Sequence, residues 1–518
     1  MKELVYHRLL LPSVRRNADR PLATNAATGE SFTYAEHLDR VERLIGGMHA
    51  LGLRRTDRFA VLALNSPEYL QLVHAAFLGG GIVNPLNLRF APRELIHVLR
   101  DSDTRVCFVD AAFAPVIEAV REEAGLEHVV RIGSGDVPHT ATFDELVSAE
   151  PMLPAEGEET DPVVLMYTGG TTGMPKGVLL DQRAELLNVY HITIAFQRGR
   201  DSVNLLQTPM FHAASMYGMV GGPVLGGHTV ILPMFEPGAV LAAMDAYRPT
   251  VTTMVPTMIG MVMAHPDFRP ERLAGLSDLA YGASPMPAAL LDTLLEWYPH
   301  INIVQGYGMT ESGSVITVLG PEEHRMGGDY LRSAGRPVLG VELSIQDALG
   351  TLLPAGEVGE VCARGGNYMI EYWRQPEATA DVFRDGWYHT GDAGYLDDEG
   401  YLFLVDRVKD MIVTGGENVY SSEVENALAG HPAVQQVAVI GIPHERWGEA
   451  VHAVVVLRDG HTVTEEELLA HSREWIAGYK VPKSIEFRTE PLPLSGAMKV
   501  LKRELRDPYW EGRDRKVN

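Results

Sequence analysis

From Thr33 to about residue 320 the sequence alternates between amphipathic helical stretches and short apolar runs, and that alternation leaves few folds open. Thr33 with Glu36 forms a capping box, and Leu38, Val41, Leu44, Ile45, Met48 and Leu51 follow at helical spacing. The run FAVLAL then reads as a strand, and Ser66-Pro67 as the N-cap and first-turn proline of a second helix through Phe77. Pro92 opens a further helix, and VCFVD is the next strand. Strands joined through helices return in the same direction, so the expected fold class is α/β, with a large N-terminal domain of doubly wound subdomains. The stretch Thr250 to Ala264 is apolar but carries Thr250, Thr252, Thr253, Pro256 and Thr257, so it reads as a buried strand and helix start rather than a bilayer helix.

Beyond about residue 320 short strands and tight turns take over, in SIQDALGTLLPAGEVGEVCARG and GWYHTGDAGYLDDEGYLFLVDR, which predicts a small β-rich subdomain. After Arg407 the pattern changes again. A helix capped at Ser422 with Glu425, strands VQQVAVIGI and AVHAVVVL, a helix capped at Thr464 with Glu467 and a strand SIEF make a compact α+β domain. The expected division is residues 1–406 as the N-terminal domain and 407–518 as a small C-terminal domain. No repeat or low-complexity linker intervenes, so the boundary near Asp406 to Lys409 reads as a short hinge.

Composition removes several function classes. With 518 residues, 46% hydrophobic, the chain can bury several cores. Its formal net charge of -24 argues against a general nucleic-acid binder, because phosphate backbones demand a basic surface. An anionic ligand must therefore meet locally concentrated donors. The two cysteines, Cys107 and Cys362, lie far apart without metal-type spacing, which suits a reducing compartment. The start MKELVYHRLLLPSVRRNADRP has an apolar run too short for a signal peptide core or a membrane span, so a cytoplasmic location is expected.

The run YTGGTTGMPKG, Tyr167 to Gly177, follows the strand-like VVLM and gathers flexible glycines, two adjacent hydroxyls and a lysine. Glycines let backbone N–H groups converge on an anion, Thr171 and Thr172 add donors, and Lys176 adds a point charge, so these parts make a phosphate cradle. It is not a Walker loop, because proline precedes the lysine and the following VLLD reads as strand. The bland reading is a Gly-Thr surface turn. In QGYGMTES, Gln305 to Ser312, Tyr307 can stack on a nucleobase, Thr310 can bond a phosphate oxygen and Glu311 can hold a magnesium ion. Taken alone, an aromatic between glycines is as often a packed turn. In YHTGDAGYLDDEG, Asp392 can accept both hydroxyls of a ribose, although a solvated turn aspartate is the commoner meaning of that pattern.

With DRVKDMIVTGGENVY, these segments resemble, in order and over essentially the whole chain, the ANL superfamily of acyl-CoA synthetases, firefly-type luciferases and peptide-synthetase adenylation domains. The medium- and long-chain fatty acyl-CoA ligase branch looks most similar. The resemblance implies that Thr168, Gly169, Gly170, Thr171, Thr172 and Lys176 handle the ATP phosphates. Gly282, Ala283 and Ser284, with Tyr307 and Gly308, match the family's adenine site, and Asp392 and Arg407 match its ribose ligands. Thr310 and Glu311 match the residues that meet the α-phosphate and Mg2+. The family's catalytic lysine corresponds to Lys499, which here follows Met498 where the family usually has glycine, with Gly496 two residues earlier. Lys409 corresponds to the hinge about which the family's mobile C-terminal domain turns, bringing Gly415, Gly416 and Glu417 to the coenzyme A path. The acyl site corresponds to His212, Met216, Val255, Pro256 and Gly306. His212 either orients the carboxylate or gates the pocket, or is a buried histidine satisfied by a backbone carbonyl.

The resemblance therefore implies an AMP-forming acid–thiol ligase that uses ATP, Mg2+ and coenzyme A on a hydrophobic carboxylic acid, with a homodimer admitted and no nucleic-acid partner. Small residues in the acyl segments, and no acidic or basic residue there to pair with an amino group or second carboxylate, disfavour an amino-acid substrate. Three rivals stay open. One is an enzyme that retains only thioesterification of a preformed adenylate, and a second loads a carrier protein. The third is a non-enzymatic adenylate sensor, against which stands the joint presence of Lys176, Glu311, Asp392, Arg407 and Lys499.

Overall fold

The computed structural model describes residues 4–154, 156–168, 174–196, 199–284, 286–407, 410–414, 417–494 and 500–511, with only the backbone of 406, 407, 413, 417 and 418. The chain divides into two compact units, Met1–Glu342 with Arg364–Gly386, and Leu343–Ala363 with Trp387–Asn518.

The first unit holds two sheets. In the eight-stranded sheet, Ile82–Pro85, Arg58–Leu62, Val106–Asp110 and His128–Ile132 run parallel side by side, and Pro162–Thr168 joins Ile82–Pro85 in the same sense. Lys176–Asp181 and the short Glu371–Tyr372 close one edge antiparallel. The nine-stranded sheet has a parallel centre of Asn302–Tyr307, Asp278–Gly282, Val251–Met254, Val203–Leu206 and His228–Ile231, in that order. Strands such as VVLM are apolar at every position because a parallel sheet is covered on both faces, and Val163 to Met166 are all buried. The strand expected from FAVLAL is Arg58–Leu62, and Thr250 to Ala264 folds as Val251–Met254 followed by the helix Pro256–Met263.

Local signals place the helix starts. Thr33 and Glu36 form the expected reciprocal cap on Tyr34–Ala50, as do Thr464 and Glu467 on Glu465–Arg473. Ser66 accepts from Tyr69 N–H at the head of Pro67–Ala75. That helix stops short of Phe77, because Ala76–Gly80 continues as a π turn in which Gly79 sits at φ 98°.

The second unit contains an antiparallel sheet of Glu342–Gln346, Gly359–Arg364, Trp387–Leu396 and Leu402–Arg407. It also contains a sheet built on the long hairpin Val434–His444 and Gly448–Leu457, which Ser484–Arg488 joins in parallel. The cap expected at Ser422 differs. The helix Ser421–Ala429 starts after Tyr420 with no side-chain cap, Ser422 Oγ donates to the Val405 carbonyl, and Glu425 accepts from Val439 N–H and pairs with Lys502. Tertiary partners take both side chains that a local capping box would have used.

Candidate active site

Parallel α/β sheets bind ligands beyond the carboxyl ends of their strands, and Gly282 to Ser284, Val255 and Pro256, Gly306 to Glu311 and His212 lie at or just beyond such ends. Asn302–Tyr307, Asp278–Gly282, Val251–Met254 and Val203–Leu206 are consecutive neighbours, so the segments leaving them come side by side. Those segments are Gly306–Gly308, Gly282–Ser284, Val255–Pro256 and the run Gln207 to His212. Gly282 pairs with Gly306, and a Cβ on Gly282 would stand 2.4 Å from the Gly306 carbonyl oxygen, so the two strand ends approach as only glycine permits. Gly308 is tighter, because its Cβ would lie 2.0 Å from Ser314 O. Ala283 holds φ at 66°, left-handed backbone that costs an L-residue about 1 kcal/mol.

Glu311 sits in the 3-10 turn Thr310–Ser312, half-buried, and its carboxylate Oε1 accepts from Tyr372 Oη at 2.8 Å. Its carbonyl accepts Met369 N–H at 2.7 Å. Lys176 heads its strand directly across from Thr168, and its Nζ lies 5.3 Å from the Tyr372 ring centroid. One tyrosine thus links the lysine of the glycine-rich segment to the carboxylate of QGYGMTES. The neighbouring Trp373 donates from its indole N–H to the Asp101 carbonyl at 2.9 Å, while Tyr167 donates to the Asp101 carboxylate at 2.6 Å. His97 Nε2 meets the Pro175 carbonyl at 3.1 Å, so the chain entering Lys176 is held from the helix Pro92–Asp101.

Two buried amides fix the turn that carries Thr310 and Glu311. Asn188 donates to Ser312 O at 3.0 Å and accepts from Val315 N–H at 3.1 Å, while Asn367 donates to both Ser312 O and Val315 O at 3.0 Å. Asn367 Oδ1 has no hydrogen-bond partner among the described residues, while Asn188 is bonded through both its amide nitrogen and its oxygen, and such buried bonds rigidify what they hold. Asn65 does the same for the acyl segment, donating to Thr208 O at 2.9 Å and accepting Met210 N–H at 2.8 Å. None of Tyr372, Asn188, Asn367 or Asn65 was legible as a site residue, since each reaches its partner across scores of residues. His212 is half-buried, and its Nδ1 accepts Ala214 N–H at 3.3 Å, capping the turn Ala213–Ser215. Met216 is buried beside it in sequence.

In the second unit, Asp392 pairs with Arg407 across the strands Trp387–Leu396 and Leu402–Arg407. It is 5% exposed and its N–H donates to Thr390 Oγ1 at 3.1 Å, so it is not the solvated turn residue its pattern suggested. Glu417 lies in the strand Glu417–Val419, opposite Thr414. Gly169, Gly170, Thr171, Thr172, Lys409, Gly415, Gly416 and Lys499, with Gly496 and Met498, lie outside the described residues.

Two family models match the chain, "AMP-binding enzyme" over residues 12–373 and "AMP-binding enzyme C-terminal domain" over 423–499, with Asp392, Arg407, Lys409 and Gly415 to Glu417 falling between them. A feruloyl-CoA synthase of Amycolatopsis sp. is 41% identical over 496 residues, 95% of this chain and 97% of that protein. The fatty acid–[acyl-carrier-protein] ligase ScoC of Streptomyces coeruleorubidus is 36% identical over 95% of this chain and 94% of its own length. Among solved structures, ATP-bound MatB from Rhodopseudomonas palustris superposes with a TM-score of 0.88 at 29% identity, covering 98% of this chain and 99% of that one.

Proposed function

This chain belongs to the AMP-binding enzyme family of the ANL superfamily, whose relatives here are named acid–thiol ligases, and on that premise we propose that it activates a hydrophobic carboxylic acid with ATP and passes the acyl group to coenzyme A. The observation that carries the reading is the junction of Glu311, Tyr372 and Lys176. A carboxylate attacking the α-phosphate approaches another anion, and negative charge grows on the phosphoryl oxygens, so the site needs cations and fixed donors rather than covalent chemistry.

Each residue then has a task. Lys176 and the Thr168–Thr172 segment bind the phosphates, Tyr307 with Gly282–Ser284 takes the adenine, and Asp392 with Arg407 takes the ribose. Thr310 orients the α-phosphate, and Tyr372 holds one oxygen of Glu311. Glu311 with the neighbouring Thr310 hydroxyl offers oxygen donors alone, which fits a hard cation. Mg2+ bound there would supply charge against the developing phosphoryl oxyanion. Lys499 adds a second cation, and removing one such donor costs roughly a hundredfold to a thousandfold in rate. For thioesterification we assign Lys409 as the hinge between residues 1–406 and 407–518, with Gly415, Gly416 and Glu417 lining the coenzyme A path. Among the described residues no helix is long and apolar enough to cross a membrane. We place the enzyme in the cytoplasm, where ATP and coenzyme A are supplied.

The acid itself we take to be an aryl acid. The 41% identity to an enzyme named for an aryl substrate supports this over the 36% to one named for fatty acids. Small residues Ala213, Ala214 and Gly218 beside buried Met216 leave an apolar lining without a charged partner. The test is kcat/KM for thioester formation with hydroxycinnamic acids against medium- and long-chain fatty acids. An aryl preference of at least tenfold is expected. A fatty acid preferred by the same margin overturns the aryl assignment and leaves acid activation standing.

A further inference from the structure

The antiparallel pair Gly359–Arg364 and Trp387–Leu396 carries a side-chain cluster that acid activation does not use. Glu360 and Cys362 are two residues apart, so they leave the same face of their strand, and Cys362 stands opposite His389 in register. A register shift between Glu360 and Cys362 draws the carboxylate in beside them. His389 Nδ1 lies 2.8 Å from Glu360 Oε2 and 3.2 Å from Cys362 Sγ, and the three residues' donor atoms all lie within 4.8 Å of one another. Cys362 is fully buried and His389 nearly so, while Glu360 is half-buried. Three donors so spaced share a point roughly 2.0–2.5 Å from each, the range of zinc bonds to nitrogen, oxygen and sulfur.

We propose that Glu360, Cys362 and His389 form a binding site for a divalent cation of the zinc type. Thiolate and imidazole select a borderline-soft ion over Mg2+ or Ca2+, which take oxygen donors. The second carboxylate oxygen of Glu360 accepts Gly391 N–H at 3.1 Å, and such an outer contact orients a ligand for its metal. Binding releases the thiol proton to solvent and leaves the imidazole neutral, with its proton on Nε2 and Nδ1 on the ion. Solvent reaches the cluster past Glu360, its most exposed member, and water completes the tetrahedron. The ion would tie two strands together beside Gly391 and Asp392. It is separate in chemistry and in compact unit from the hard-cation site assigned to Glu311.

The test uses the full-length protein, stripped by a chelator and titrated with Co2+ and then Zn2+. A near-ultraviolet thiolate-to-cobalt charge-transfer band should saturate at one equivalent and bleach on adding Zn2+. Cys362→Ser and His389→Gln should each lose it, Cys107→Ser should keep it, and Glu360→Gln should bind at least tenfold more weakly. Two different substitutions guard against one that merely unfolds the unit. The proposal is overturned if the wild type gives no band, or if the band survives in either Cys362→Ser or His389→Gln.

Discussion

Tyr372→Phe removes a single oxygen from the centre of the candidate site. Its hydroxyl donates at 2.8 Å to Glu311 Oε1 from a side chain only 7% exposed. A hydrogen bond to a charged acceptor contributes about 1.5–3 kcal/mol. Phenylalanine keeps a ring near Lys176 Nζ, now 5.3 Å from the centroid, so the cation–π contact survives and the hydroxyl is tested alone. If that hydroxyl aims Glu311 at the cation in the reacting geometry, its loss appears in kcat/KM as roughly ten- to a hundredfold. Acid-dependent ATP–pyrophosphate exchange, followed over a range of Mg2+ concentrations, reads this directly. The variant should need more Mg2+ and plateau lower, and Tyr372→Leu, which also loses the ring, should fall further. Exchange within twofold of wild type at every Mg2+ concentration refutes the reasoning.

Stability should fall in acid because His37 and His74 are buried against each other, with His37 Nε2 2.8 Å from His74 Nδ1. Burial lowers His37 well below the usual imidazole range and His74 to about 4. The folded chain keeps both neutral while the unfolded chain takes up protons, so stability is complete above about pH 6.5 and is lost as pH falls toward 4. His74 alone accounts for about 3 kcal/mol, read as a falling urea midpoint whose fall His74→Gln should make shallower, with the part due to His37 remaining. Ala283→Gly relieves a left-handed alanine at φ 66° and should raise the unfolding free energy by about 1 kcal/mol, read as a higher denaturant midpoint, whereas Ala283→Val should lower it. Gly308→Ala drives a methyl to 2.0 Å from Ser314 O and should abolish ATP–pyrophosphate exchange; retained exchange would mean the turn relaxes freely. Asn367→Ala strips the amide from two buried carbonyls, Ser312 O and Val315 O, and should cost about 2–4 kcal/mol in unfolding free energy.

The sequence made legible whatever is decided within a few residues. Thr33 with Glu36 and Thr464 with Glu467 cap as read because donor and acceptor lie three positions apart. Alternating helices and apolar strands gave the α/β class for the same reason. Ser422 and Glu425 fit the same rule and obey a different one, since Val405, Val439 and Lys502 reach them first. Of the site, Glu311, Thr310 and Lys176 stood out as motif residues with obvious chemistry. Tyr372, Asn367 and Asn188 did not, because they reach Glu311 or Ser312 over 61, 55 and 124 residues. The register of Tyr372 is set by the edge strand Glu371–Tyr372 lying against Lys176–Asp181, which no local pattern announces. The cross-strand pairing of Cys362 with His389 was hidden in the same way, since the two positions lie far apart in sequence.

The most direct measurement of acid activation is product analysis. The purified protein is incubated with Mg2+, ATP, coenzyme A and a library of aryl and fatty acids, and acyl-adenylates and acyl-CoA thioesters are sought by mass spectrometry. An ATP-dependent thioester with one AMP released per acyl group, preceded by the matching adenylate when coenzyme A is withheld, is the predicted result. Adenylate without thioester would move the acceptor to a carrier protein. Neither product from any acid, in a protein that still binds ATP, would contradict the account.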